Sequence, residues 1–136
     1  MKTSILLLLV LLGFSNVGFS NPFMKVPEKI QTALKSNFEY EGKVKWFRVH
    51  GDYGARFEID NKLHYAFFNE NGALIEINAQ VSYVDLKPAI KEELNAQYAH
   101  CYVKTAFRLV ERNGNERFLI MLENMQTGEE YEVSFE

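Results

Sequence analysis

Residues that commonly build small functional sites are scarce in this chain of 136 residues. There is one cysteine, Cys101, so no disulfide can form within the chain and packing alone must hold the core. None of the three histidines, His50, His64 and His100, has a partner at a spacing typical of a zinc site. The 15 basic residues, against 18 acidic ones, form no concentrated patch of the kind that nucleic-acid binders need. We therefore predict no metal site and no nucleic-acid partner.

Arrangements that carry nucleophilic catalysis are also missing. The serines Ser36, Ser82 and Ser134 lack the Gly-x-Ser-x-Gly context of a nucleophile elbow. Cys101 follows His100 directly, and adjacent side chains on a strand point to opposite faces, so the two make a poor catalytic pair. No glycine-rich phosphate-binding loop is present. These absences predict a protein that is not an enzyme, with no catalytic residues and no cofactor.

The first twenty residues have the pattern of a secretory signal peptide. Lys2 gives a positive start, residues 5–12 are an unbroken apolar run, and the small residues Gly18 and Ser20 precede Asn21. A membrane-spanning helix needs about 20 apolar residues, so this run is too short to remain as an anchor. We predict cleavage after Ser20, a single mature domain over residues 21–136 with no membrane span, and a periplasmic or secreted location.

A repeated spacing sets the expected architecture. The apolar positions Ile30, Leu34 and Phe38 recur 60 positions later as Ile90, Leu94 and Tyr98. Each copy predicts an amphipathic helix followed by alternating strand segments and turns, including turns at residues 51–54 and 69–72. Asp85 is the predicted N-cap of the second helix. The expected fold is α+β, with two tandem helix-plus-antiparallel-meander repeats, αββββ over about residues 26–77 and αβββ over about residues 85–136.

Helices with one apolar stripe are expected to pack on one face of the sheet and to leave the other open. The alternation assigns Phe57, Ile59, Tyr65 and Phe67 to the core side of the sheet. Phe47, Arg56, His64 and Phe68 have the opposite phase, and we predict that they face outward and form a protein-binding site. The adjacent aromatic residues Trp46 and Phe47 make the phase ambiguous, because a slip of one residue exchanges the two faces. A neighbouring element or a second subunit that covers this face remains an alternative.

Several motifs together point to a known family. They are Val26-Pro27-Glu28-Lys29-Ile30-x3-Leu34, Val44-Lys45-Trp46, Tyr53-x3-Phe57, Tyr65-x-Phe67 and Asn69-x-Asn71-Gly72. This pattern resembles the PepSY-like, beta-lactamase-inhibitor-like family of small exported bacterial proteins. The resemblance covers most of residues 26–77 and is weaker over residues 86–135, where Trp46 has no aromatic counterpart. It implies a helix-plus-sheet repeat whose open sheet surface binds another protein. No inhibitory loop can be assigned residue by residue, so it does not imply beta-lactamase inhibition.

The sequence therefore predicts an exported, non-enzymatic protein-binding module that inhibits or modulates an envelope or secreted protein. The expected partner is a protein or peptide in the cell envelope, and the expected state is a monomer or weak dimer. Two alternatives stay open. One is a carrier of a small apolar ligand, bound in a cleft between helices and sheet. The other is a structural subunit that dimerises through its open face or through Cys101.

Overall fold

The computed structural model describes residues 24–136, which form two helices and a single seven-stranded sheet. The elements are α1 (Glu28–Asn37), β1 (Glu41–Val49), β2 (Asp52–Ile59), β3 (Lys62–Phe68), β4 (Leu74–Val81), α2 (Pro88–Gln97), β5 (Cys101–Glu111), β6 (Glu116–Asn124) and β7 (Glu130–Phe135). Every strand pairs antiparallel with its neighbours in sequence, in the order β1 to β7. The α+β prediction with its two helix-then-meander repeats is confirmed. The predicted signal peptide lies outside the described residues.

A proline stands at the start of both helices, directly before α1 and as the first residue of α2, and both helices bury the repeated apolar positions. The Ile30 N–H donates to the carbonyl of Pro27 at 3.0 Å, and Pro88 is the first residue of α2. The prediction that Asp85 caps α2 is wrong, since Asp85 ends a short 3-10 helix (Tyr83–Asp85) before it. The physical reason is Pro88, whose ring restricts the preceding Lys87 to an extended backbone, so that the helix cannot begin earlier.

The two helices pack on the same face of the sheet, as predicted. The buried stripe of α1, Ile30 and Leu34, contacts the central strands β2 and β3 of the first repeat. The stripe of α2, Ile90 and Leu94, contacts the strands of the second repeat. Strand register joins the two regions, because Ala66 under α1 lies opposite Ile77, and Val81, which has the same phase as Ile77, lies opposite Ala106 under α2. One side of one continuous sheet therefore carries both helices.

Of the two turns predicted in the first repeat, one lies at a different position and one is confirmed. The β1–β2 turn is formed by His50 and Gly51, both with positive φ angles (49° and 87°), which suit a two-residue hairpin. The predicted turn at residues 51–54 is thus wrong, since Gly54 lies within β2. The predicted turn at residues 69–72 is confirmed, and the side-chain oxygen of Asn69 accepts from the backbone N–H groups of Asn71 and Ala73, each at 3.0 Å.

Candidate functional site

Within residues 24–136, an apolar strip lies on the sheet face opposite α1 and α2. Its six members are Phe47, Tyr65, Phe67, Phe107, Leu109 and Leu119. Phe67 lies opposite Gly54, which lies opposite Phe47, whereas the neighbouring Ala66 packs beneath α1. Leu119 lies opposite Phe107 in the second repeat. The strip therefore crosses both repeats, and no residue of α1 or α2 belongs to it.

The aromatic members of the strip hold one another in place. The ring of Phe47 lies 6.0 Å from that of Phe67 and 6.3 Å from that of Tyr65, at interplanar angles of 79° and 74°. Tyr65 continues the series to Phe107, whose ring is 6.1 Å away. Edge-to-face pairs of this kind are favoured by the charge distribution of the rings. The strip is therefore an ordered cluster of side chains that contact one another, with its aromatic rings at its centre.

Gly54 provides the space in which the Phe47 ring lies. A β-carbon added at Gly54 would come within 2.2 Å of that ring. Because β2 runs between β1 and β3, the missing side chain lets Phe47 reach across it toward Phe67 and Tyr65. The glycine thus contributes to the strip by its size and not by its backbone freedom.

Polar groups are built into the same face. Tyr65 lies opposite Arg56 and Asn78 in the sheet register, so the strip is interrupted by a guanidinium group and an amide. Burial raises the pKa of the Tyr65 hydroxyl, and the charge and hydrogen bond of Arg56 partly oppose that rise. The neighbouring donors and acceptors assign the amide of Asn78, only 1% exposed, the orientation in which its nitrogen donates to Glu76 Oε1 at 2.7 Å. These contacts satisfy the polar groups nearest the centre of the strip.

Arg117 joins the acidic groups at one end of the strip. Its Nη2 atom lies 3.4 Å from Glu111 Oε1 and 3.9 Å from Glu76 Oε2. Burial raises the pKa of Glu76, and the positive charge of Arg117 acts in the opposite direction. The Nε atom of Arg117 is buried and has no hydrogen-bond partner.

Glu132 lies on β7, and Leu119 stands between it and Arg117 on this face. It lies opposite Met121, and its Oε2 atom is buried without a hydrogen-bond partner. Burial raises the pKa of this carboxyl. The neighbouring Glu123 and Glu130 are different, because Lys104 forms ion pairs with both.

The structure divides the four residues predicted as a binding site between the two faces. Phe47 and Arg56 lie on the face of the strip. His64 and Phe68 do not, so the prediction of a shared outward face is wrong for them. Phe68 is fully buried in the cluster beneath α1, and His64 stacks on Phe57 at 5.8 Å on the same side. The cause is β3, which carries aromatic side chains on both faces, so its alternation does not distinguish them.

The sequence patterns do not identify most of the strip. The alternation assigns Tyr65 and Phe67 to the helix side, and no pattern assigns Phe107, Leu109 and Leu119 to a site. One signal was available in the unbroken apolar run of residues 118–122, which is typical of a strand buried on both faces. That run forms the middle of β6.

Other sequence candidates lie apart from the strip. Cys101 is a half-buried free thiol packed against the cluster beneath α2. Among residues 24–136, no group of three or more His, Cys, Asp and Glu side chains is placed to hold a metal ion. None of the helices in this part of the chain has the length and apolar character needed to cross a membrane.

Comparisons with known proteins show the fold. No protein-family model matches the chain, and no curated protein matches it. A protein from Bacteroides eggerthii, described as an inferred periplasmic protein, has a TM-score of 0.75 at 14% identity over 82% of each chain. A DUF2874 family protein from Bacteroides uniformis has a TM-score of 0.74 at 17% identity, again over 82% of each chain. A BLIP-like protein from Bacteroides fragilis has a TM-score of 0.68 at 20% identity over 84% of this chain and 81% of that one. The BLIP-like part of the resemblance thus has a structural counterpart, whereas the PepSY part stays a prediction.

Proposed function

We propose that this protein is an exported, non-enzymatic binding module that recognises a protein or peptide of the cell envelope through the apolar strip. The observation that carries the proposal is the strip itself, with six buried apolar side chains on the sheet face opposite both helices. An antiparallel sheet with one covered face usually turns polar side chains outward on the other. A face rich in aromatic residues, with arginine among them, has the composition of a protein-binding surface.

The strip is also ordered in a way that favours binding. Its rings contact one another edge to face, and Gly54 fixes the space for Phe47. Side chains that are already held in one arrangement lose little conformational entropy when a partner binds. The same features support a polypeptide partner, since the strip combines apolar area with polar groups such as Arg56 and Asn78.

Export and the non-enzymatic character have separate support. Residues 1–20 have the signal-peptide pattern, and the similar structure from B. eggerthii is described as an inferred periplasmic protein. The structure from B. fragilis is described as BLIP-like, a name taken from a binding protein and not from an enzyme. A periplasmic or secreted location therefore remains part of the proposal.

A carrier of small apolar ligands has less support. One hollow lies where α1 ends, beside the β2–β3 turn. It is lined by Lys35, Phe38, Glu39, Tyr40, Glu41, Ile59 and Asp60. Four of these seven residues carry charge, whereas pockets for small ligands are mostly apolar. We therefore place the binding surface on the opposite face of the sheet.

Adjacent residues of β1 provide a matched test of the proposed face. A photoreactive phenylalanine analogue would replace Phe47, in the strip, or Trp46, which packs on the helix side. After irradiation of intact cells, we expect covalent adducts with one other protein from position 47 and none from position 46. The captured protein would then be purified and its Kd measured against the unmodified protein. Equal adducts from both positions, or none from position 47, would contradict the proposal.

A further inference from the structure

We propose that the partner places a lysine or arginine side chain against Glu132, beside the apolar residues that cover the strip. This inference rests on the proposed function and narrows it. It commits the strip to a polypeptide in which a basic residue stands next to apolar ones.

Two unpaired buried atoms mark the place. Within residues 24–136, the buried side-chain atoms that lack a hydrogen-bond partner are Arg117 Nε and Glu132 Oε2. Both lie on the face of the strip, since Arg117 lies opposite Leu109 and Glu132 lies opposite Met121. They flank Leu119, and four residues of strand separate their positions along the sheet, roughly 13 Å. Buried polar atoms are almost always paired in native proteins, so two exceptions on one face need an explanation.

Glu132 differs from Glu76, Glu111, Glu123 and Glu130, each of which has a cation as its partner. Arg117 pairs with Glu76 and Glu111, and Lys104 pairs with Glu123 and Glu130. No lysine or arginine of the described residues forms an ion pair with Glu132. A carboxylate that is partly removed from water and unpaired is costly, and a cation supplied from outside offsets that cost. The charge-assisted hydrogen bond of a lysine or arginine is the strongest such contact.

The pair of unpaired atoms also distinguishes a polypeptide from a lipid. Glu132 Oε2 requires a donor, and Arg117 Nε requires an acceptor. A polypeptide carries both, as a basic side chain and as backbone carbonyl groups. An apolar lipid chain carries neither and would leave both atoms buried and unpaired.

Selection from a library of short random peptides shows which types of residue the protein binds. The exported protein would be immobilised as wild type, Glu132→Gln, Glu132→Lys and Glu130→Gln. Glu130→Gln is the matched control, because Glu130 lies on the same strand but already has Lys104 as its partner. We expect the wild type and Glu130→Gln to enrich peptides that combine aromatic or aliphatic residues with lysine or arginine. Glu132→Lys should enrich aspartate or glutamate in place of the basic residue.

The affinity of one enriched peptide then gives the size of the effect. Loss of a charge-assisted contact in Glu132→Gln should weaken its Kd by about tenfold. Enrichment of basic residues that survives Glu132→Lys would overturn this inference and leave the proposed function intact. A wild-type selection that enriches no apolar residues would overturn both. Melting curves of the variants would confirm that each remains folded.

Discussion

The two faces of the sheet differ in how completely their buried polar atoms are hydrogen-bonded. On the helix side, two clusters of buried apolar residues lie beneath α1 and α2. The face of the strip also carries Asn78, the buried polar residue of the described chain, and both unpaired buried atoms. Proteins keep local inconsistencies mainly where function requires them. This difference is what the proposed binding role of the strip would lead us to expect.

Adjacent phenylalanines of β3 offer the strongest way to break this comparison. Phe68 is fully buried beneath α1, and Phe67 belongs to the strip. Phe68→Ala should lower the free energy of unfolding by about 3–5 kcal/mol, because it leaves a closed cavity in the core. Phe67→Ala should also destabilise the fold, because Phe67 is only 9% exposed, but it alone should reduce partner binding. Urea denaturation measures the stability of both.

The comparison fails if Phe68→Ala weakens binding as much as Phe67→Ala does. Tyr83→Ala is a suitable control, because Tyr83 is an exposed aromatic residue on neither face. Its free energy of unfolding should change by no more than about 0.5 kcal/mol.

Gly54 allows a test of the strip alone. Gly54→Ala places a methyl group in the space of the Phe47 ring and should cost about 1–3 kcal/mol through overpacking. In Phe47→Ala that space is empty, so adding Gly54→Ala should then cost little. A double-mutant cycle from denaturation curves measures this coupling. Additive losses would show that the ring does not occupy the space above Gly54.

The sequence predicts which way a side chain points only where one face of a helix or strand is apolar and the other is polar. The helix stripes were clear, because Ile30, Leu34 and their counterparts 60 positions later alternate with polar residues. In β3 and β6 both faces are apolar, so the period of two gives no preference. For this reason the alternation predicts the wrong side of the sheet for Tyr65 and Phe67. No local pattern in the sequence identifies Glu132. It lacks a cation because Lys104, on another strand, forms its ion pairs with Glu123 and Glu130 instead.

Among the variants within the sheet, Glu132→Gln is expected to change the free energy of unfolding least, and to change it in the opposite direction from the others. Burial raises the pKa of Glu132 above its ordinary value. A carboxyl with a raised pKa in the folded state destabilises the fold as pH rises from its ordinary pKa through the folded one. The variant should therefore be more stable than wild type at neutral pH, by on the order of 0.5 kcal/mol because the group is partly exposed.

This advantage should vanish on acidification below the ordinary pKa of glutamate, where the wild-type side chain is protonated in both the folded and the unfolded state. Subtracting the two pH profiles, measured by urea denaturation, isolates Glu132 from Glu76, whose pKa burial also raises, and from Glu116, whose pKa Lys87 and Arg108 lower. A residue kept only for folding would destabilise when replaced. A variant that gains stability and loses peptide affinity would mark Glu132 as a recognition residue, whereas a loss of both would assign it to the structural face of the comparison.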